Sequence, residues 1–159
     1  MLSASRKVAF VLLAALAITA TGCGSNNKGK IEGKWKVVSF PEKTSEKNKN
    51  DVAEMGKLGI YVYMEFKPEG AFVFGVGAEK QEMLDMMKAL APNQKTTWDA
   101  KYKLLSGDGV EIYDLPKDMQ KEGSGLFGNK DRARVKVVIN GDEMKMTDDD
   151  GTATLTKIK

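Results

Sequence analysis

The chain has 159 residues, with 25 lysines and arginines against 22 acidic residues, no histidine and one cysteine. That length suits one domain behind a short N-terminal segment. The near-balanced charge lacks the concentrated basic footprint that nucleic acid requires, the missing histidine removes the usual neutral-pH proton shuttle and metal ligand, and one cysteine closes no internal disulfide.

Arg6 and Lys7 precede an apolar run from Val8 to Ala20, and small residues then lead to Cys23. A basic start, a short apolar run and a small-residue boundary form the pattern of a secretory signal. The run falls short of the roughly 20 residues that a spanning helix needs. The stretch Ala20-Thr21-Gly22-Cys23 resembles the lipobox of bacterial lipoproteins, although Ala20 stands where leucine is preferred. The resemblance implies that residues 1–22 are a signal peptide and that the Cys23 thiol carries diacylglycerol, with an acyl chain such as palmitate on the new N-terminus. Two or more chains hold a protein at a bilayer, since each buried methylene contributes about 0.8 kcal/mol. Gly24-Ser25-Asn26-Asn27-Lys28-Gly29-Lys30 reads as a flexible polar tether, so residues 23–30 form the lipidated cysteine and its linker. Gly24, in place of an acidic residue, favours the outer over the inner membrane, with the domain facing the periplasm. Losing Arg6 and Lys7 lowers the formal charge from +3 to +1.

From Ile31 onward the chain alternates apolar and polar residues. Trp35 to Phe40 opens the pattern. Ile60, Val62, Met64 and Phe66 form one face of a second strand, with Tyr61, Tyr63, Glu65 and Lys67 on the other. After Pro68-Glu69-Gly70, Phe72, Phe74 and Val76 continue the period of two, and Trp98, Ala100, Tyr102 and Leu104 repeat it. Val110 to Leu115 is less regular. Ala133, Val135, Val137 and Ile139 give the clearest alternation, followed by Asn140-Gly141, a strong type I′ hairpin signal. Met144 and Met146 extend the apolar face, and Thr152 to Ile158 closes the series after Asp149-Asp150-Gly151. Half-buried antiparallel strands produce this pattern.

Glu79 to Ala91 departs from it, placing Met83, Met86, Met87 and Leu90 on one helical face before Pro92-Asn93. A further turn or two of helix is expected at Lys117 to Glu122, ending at Gly123-Ser124-Gly125. Pro41 to Lys57 reads as a long charged loop with room for a helical turn near Asp51 to Lys57. The whole predicts an all-β domain over residues 31–159: an eight-stranded antiparallel barrel with one inserted amphipathic helix, and a two-sheet sandwich as the structural alternative.

Ile31-Glu32-Gly33-Lys34-Trp35 resembles the Gly-x-Trp element that opens the first strand of lipocalins and of lipocalin-like bacterial domains. The resemblance implies an up-and-down barrel whose closed end is crossed by Trp35, with Gly33 and Trp35 as the fold-closing motif. No Thr-Asp-Tyr element and no arginine after the last strand match the family; Arg132 and Arg134 are the arginines available to cover the tryptophan.

Trp35, Phe66, Phe72, Phe74, Trp98, Tyr102 and Met144 either line a ligand chamber or fill the core. The Met83, Met86, Met87, Leu90 face is a lid, a partner surface or an ordinary amphipathic face. Tyr61 and Tyr63 on the polar side of their strand suit an interface or lie beneath the preceding loop, and Tyr113 poses the same question. Asp148, Asp149 and Asp150 read as a solvated turn rather than a calcium loop, and Gly75-Val76-Gly77 lacks the Lys-Ser/Thr ending of a phosphate loop. With no catalytic set, cofactor or metal expected, the chain reads as a noncatalytic binding or accessory domain. Its expected partners are the membrane, through the N-terminal lipid, and either a small hydrophobic ligand or an envelope protein. An envelope assembly or inhibitor protein is the alternative, and an enzyme of unrecognised type ranks below both.

Overall fold

Each strand turns its apolar side inward, and short turns return the chain antiparallel to its neighbour, until the last strand meets the first. The computed structural model describes residues 24–117, 119, 127 and 131–159. The signal segment 1–22, Cys23, most of Lys117–Glu122, and Gly123-Ser124-Gly125 lie outside the described residues. The elements run β1 (Gly33–Ser39), α1 (Glu46–Lys57), β2 (Ile60–Phe66), β3 (Ala71–Ala78), α2 (Gln81–Leu90), β4 (Thr97–Leu104), β5 (Gly109–Tyr113), β6 (Arg132–Asn140), β7 (Glu143–Asp148) and β8 (Gly151–Lys157). The strands close in sequence order, β1 to β8, each antiparallel to the next, with β8 pairing back onto β1. This is the eight-stranded, up-and-down lipocalin-type architecture and not a sandwich.

Register carries the apolar pattern around the barrel. Met64 faces Phe74, Phe74 faces Trp98, Tyr102 faces Ile112, Val110 faces Val135, Val137 faces Met146, and Met144 faces Leu155. Trp35, Met64, Phe72, Val110, Ile112, Val137, Met144 and Leu155 are fully buried. The outward residues between them are mostly polar, with Tyr61, Tyr63, Val73, Tyr113 and Val138 as larger exceptions, as a period of two with one covered face requires.

The antiparallel order sorts the connections onto two ends. At one end lie the start of β1, the β2–β3, β4–β5 and β6–β7 turns, and the C-terminus. At the other lie α1, α2, the β5–β6 connection and the β7–β8 turn.

Three local features depart from the sequence reading. The β6–β7 turn is Gly141–Asp142, closed by the Asn140–Glu143 pair, with positive φ at Gly141 and not at Asn140. That is the type II′ pattern, which needs glycine only at its first central residue and keeps Ile139 opposite Met144. The charged loop holds a full helix: Ser45 Oγ accepts from the Asn48 backbone N–H, and Glu46 and Lys57 complement the helix dipole at its two ends.

The third departure corrects the flexible tether. From Ser25 onward the segment is docked. Ser25 bridges Gly107, the Asn26 N–H donates to the Gly107 carbonyl at 2.8 Å, and its side-chain amide donates to Asp108 at 2.8 Å. Asn27, buried, donates through Nδ2 to the carbonyls of Val137 at 3.0 Å and Asp108 at 3.2 Å. Polar composition predicts mobility, but the amide supplies a donor to the Val137 carbonyl at the barrel end and a second one to the Asp108 carbonyl, which also accepts the Val137 N–H.

Inward and outward neighbours on these strands differ sharply in what they stabilise. Met144→Ala is expected to lower unfolding free energy by about 2–5 kcal/mol through lost burial and a residual cavity. Val138→Ala, on the outer face, should stay within about 0.5 kcal/mol. Urea-denaturation midpoints of the two variants check the register.

Candidate functional site

All seven aromatic and methionine candidates for a ligand chamber lie on the inward face, and five of them, Phe66, Phe72, Phe74, Trp98 and Tyr102, pack ring against ring. Phe66 meets Phe72 at 5.0 Å between centroids and Tyr102 edge-on at 5.1 Å. Phe74 lies 5.9 Å from Trp98, and Phe127 enters from the β5–β6 connection to stand 5.9 Å from Phe72 and 6.0 Å from Phe74. An eight-stranded barrel has an interior just wide enough for such side chains. Phe127 was invisible as a core residue in the sequence because no strand or helix period surrounds it.

The Gly-x-Trp residues sit at the tether end. Gly33 has φ +124, and a Cβ there would meet the Lys157 side chain at 3.0 Å. Trp35 is fully buried and donates from Nε1 to the Ile31 carbonyl at 2.8 Å, anchoring the docked segment. Its cover comes from Lys157 at the end of β8, whose ammonium stands 5.1 Å from the ring centroid. Arg132 and Arg134 do not take that part: both point to Glu111 on the outer face of β5, at 2.6 and 3.1 Å, with Lys103 at 3.5 Å. Burial of Glu111 acts to raise its carboxyl, and the Arg132 charge, the Arg134 hydrogen bond and Lys103 outweigh it, holding the group below its ordinary 4.5.

Tyr61 and Tyr63 lie on the outer face, as the alternation requires, but much of each ring is already in use. They lie across Gly77 and Gly75 on β3, so that a Cβ at Gly75 would fall 2.7 Å from Tyr63 and one at Gly77 2.8 Å from Tyr61. Lys34 covers the Tyr63 ring at 3.7 Å and Lys36 the Tyr61 ring at 5.0 Å. Burial is the main cause that raises the Tyr63 hydroxyl above its ordinary value. Glycine and lysine from neighbouring strands supply this cover, and Tyr61 also lines the groove beside Val52, Ala53 and Gly56 of the preceding segment. Tyr113 lies likewise between Lys103 and Arg132.

On α2, Met83 and Met87 are half-buried while Met86 and Leu90 are 51% and 80% exposed. The helix has no buried residue. The three aspartates at 148–150 form a self-capped turn: Asp148 Oδ1 accepts the Asp150 N–H at 2.8 Å, and Lys43 pairs with Asp150 at 3.9 Å.

Among the described residues, one apolar concave surface lies outside the barrel lumen. A groove of about 470 Å³ runs between α1 and the helix-bearing ends of β1 and β2. Val38, Phe40, Val52 and Ile60 supply its apolar walls, and Gly56 leaves a gap along α1. Lys36 and Lys49 stand at its rim, each already paired: Lys36 with Glu79 at 3.2 Å, Lys49 with Glu46 at 3.0 Å. The volume falls in the range of small-molecule sites. A β-bulge between Val37 and Ser39 leaves Val38 outside the barrel and 62% exposed. The groove is hidden in the sequence because α1 carries no apolar stripe; the Ser45 cap and the Val52–Met55 pair are its signals.

No protein-family model matches the chain, and no curated protein matches it. Among solved structures it is similar to the 2.60 Å crystal structure of an uncharacterized protein from Bacteroides eggerthii DSM 20697, at 13% identity and a TM-score of 0.48, covering 80% of this chain and 99% of that chain.

Two outcomes test this geometry. Gly75→Val should destabilise the protein by about 1–3 kcal/mol through overpacking against Tyr63, and by clearly less in a Tyr63→Ala background. A thermal-unfolding double-mutant cycle measures the coupling. Because the Glu111 carboxyl is depressed on folding, its contribution is complete above pH 4.5 and is lost as the pH falls through the folded value. Glu111→Gln should therefore flatten the acid limb of the stability profile, read from urea midpoints across the acid range.

Proposed function

We propose that this chain is a noncatalytic binding domain of the bacterial cell envelope, tethered by lipid on Cys23, that takes a small hydrophobic ligand in the α1 groove. The observation that carries the ligand reading is the groove's combination of apolar walls, suitable volume and access from solvent, beside an interior occupied by its own aromatic side chains. Both rim lysines have acidic partners, so the ligand's polar end need not be strongly anionic. The noncatalytic reading draws on the absence of histidine from the chain and on the lipidation that takes up its one cysteine thiol. Among the described residues no helix is long and apolar enough to cross a membrane. Outer-membrane, periplasm-facing placement follows the Gly24 preference.

A second reading, an envelope assembly or inhibitor protein acting through its surface, is favoured by the exposed Met86 and Leu90 on α2. Such side chains are adaptable contact residues.

Gly56→Leu separates the groove from the fold. A Cβ at Gly56 meets nothing within 4 Å, and replacing a helix glycine gains up to about 1 kcal/mol of helix propensity. The variant should keep or raise the melting temperature while lowering affinity for a fluorescent fatty-acid analogue at least several-fold. Unchanged affinity would remove the groove as the site. Mass analysis of the mature N-terminus tests the tether independently, with a diacylated Cys23 expected.

A further inference from the structure

From the docking of residues 25–31 we infer that the barrel stands on an anionic phospholipid surface at a fixed orientation, its tether end against the headgroups and its α1 groove turned to the aqueous side. This rests on the proposed lipidation of Cys23 and adds what that reading leaves open: which face meets the bilayer.

The first argument is reach. Cys23 lies two residues before Ser25, the first residue bonded to the barrel. Two extended residues span about 7 Å at most. A flexible linker of eight residues would have let the domain tumble above the bilayer. The docked one instead limits the acylated residue to that short reach from Ser25, which bridges Gly107 at the end that also holds the β2–β3 and β6–β7 turns.

The docking is built into the closure of the fold. Asn27 bonds the carbonyls of Asp108 and Val137, its own carbonyl accepts the N–H groups of Lys30 and Ile31, and buried Ile31 receives the Trp35 indole. Undocking would break these bonds and expose Ile31, so the segment acts as a strut.

Charge is the second argument. Lys28 and Lys30 on the strut are exposed, and among the described residues neither has an ion-pair partner. Lys136 and Lys159 at the same end are 66% and 84% exposed, although Asp108 and Asp142 answer them. The opposite end carries the Asp148–Asp150 turn. Anionic headgroups attract Lys28 and Lys30, against Glu32 and Glu69 at the same end, and repel the Asp148–Asp150 turn at the second end, where Lys43 answers Asp150 at 3.9 Å. The groove under α1 lies at that second end, so its ligand or any partner approaches from water and not from within the bilayer.

The test uses the full-length acylated protein in vesicles of phosphatidylethanolamine and phosphatidylglycerol carrying a headgroup nitroxide quencher. A fluorophore is placed through Ser106→Cys at the strut end or Asp149→Cys at the far end. Both positions are exposed, and strands of this length separate the ends by about 20 Å. Quenching is expected to be several-fold stronger at Ser106, and Asn27→Ala, which releases the strut, should shrink that contrast with the lipid still on Cys23. Equal quenching at both ends, or stronger quenching at Asp149, with Cys23 acylated by mass, would overturn the orientation while leaving the lipoprotein reading standing. A contrast that survives Asn27→Ala would overturn the strut. An unmodified Cys23 would overturn both readings, and the mass identifies that outcome before any quenching is measured.

Discussion

Trp35 sits where β1 meets β8, with its ring buried under Lys157 and its indole N–H bonded to the Ile31 carbonyl. That one contact set joins the last strand, the first strand and the N-terminal segment. Without it the sheet would keep two open edges, a costly arrangement for strands as apolar on one side as these. With it, the inward faces of eight strands converge on a small common interior. Gly33 belongs to the same constraint, since its φ and its approach to Lys157 exclude a side chain at the point where the chain turns into β1.

A closed interior of this size has a consequence for function. Phe66, Phe72, Phe74, Trp98 and Phe127 spend their area on one another, so the fold's strongest apolar surface is committed to stability. Concavity is available where the sheet is interrupted. The bulge after Val37 pushes Val38 outward, and α1, held by few large apolar side chains, spans the rim without closing against it. The groove is thus a by-product of closure at the other end: a firmly sealed base and a loosely roofed top. Loosely packed elements open at low free-energy cost, which suits a ligand entrance.

The strands were legible because a half-buried strand writes its two environments into alternate residues; Ile60 to Phe66 and Ala133 to Ile139 hold that pattern through closure. The candidate site was much less so. α1 has no buried residue and half its positions are charged, so no apolar stripe announced it. Phe127 fills the core from a connection with no period. Lys157 covers the tryptophan where an arginine was sought, since a lysine ammonium meets the same electrostatic need. The N-terminal segment reads as a linker because its residues are small and polar, and only the long-range Asn27 bonds to Val137 and Asp108 make it structure. Apart from α1, these failures share one cause: each depends on a partner more than 80 positions away or on a residue outside any repeat.

The central claim is a solid barrel that binds on its outside. Methyl-resolved NMR during titration with a medium-chain fatty acid tests it most directly, since groove and interior carry separate valine and leucine methyls. Saturable shifts at Val38 and Val52, with Val110, Val137 and Leu155 unmoved, are the expected result. Shifts concentrated at Val110, Val137 and Leu155 would contradict the claim and return the ligand to the barrel interior.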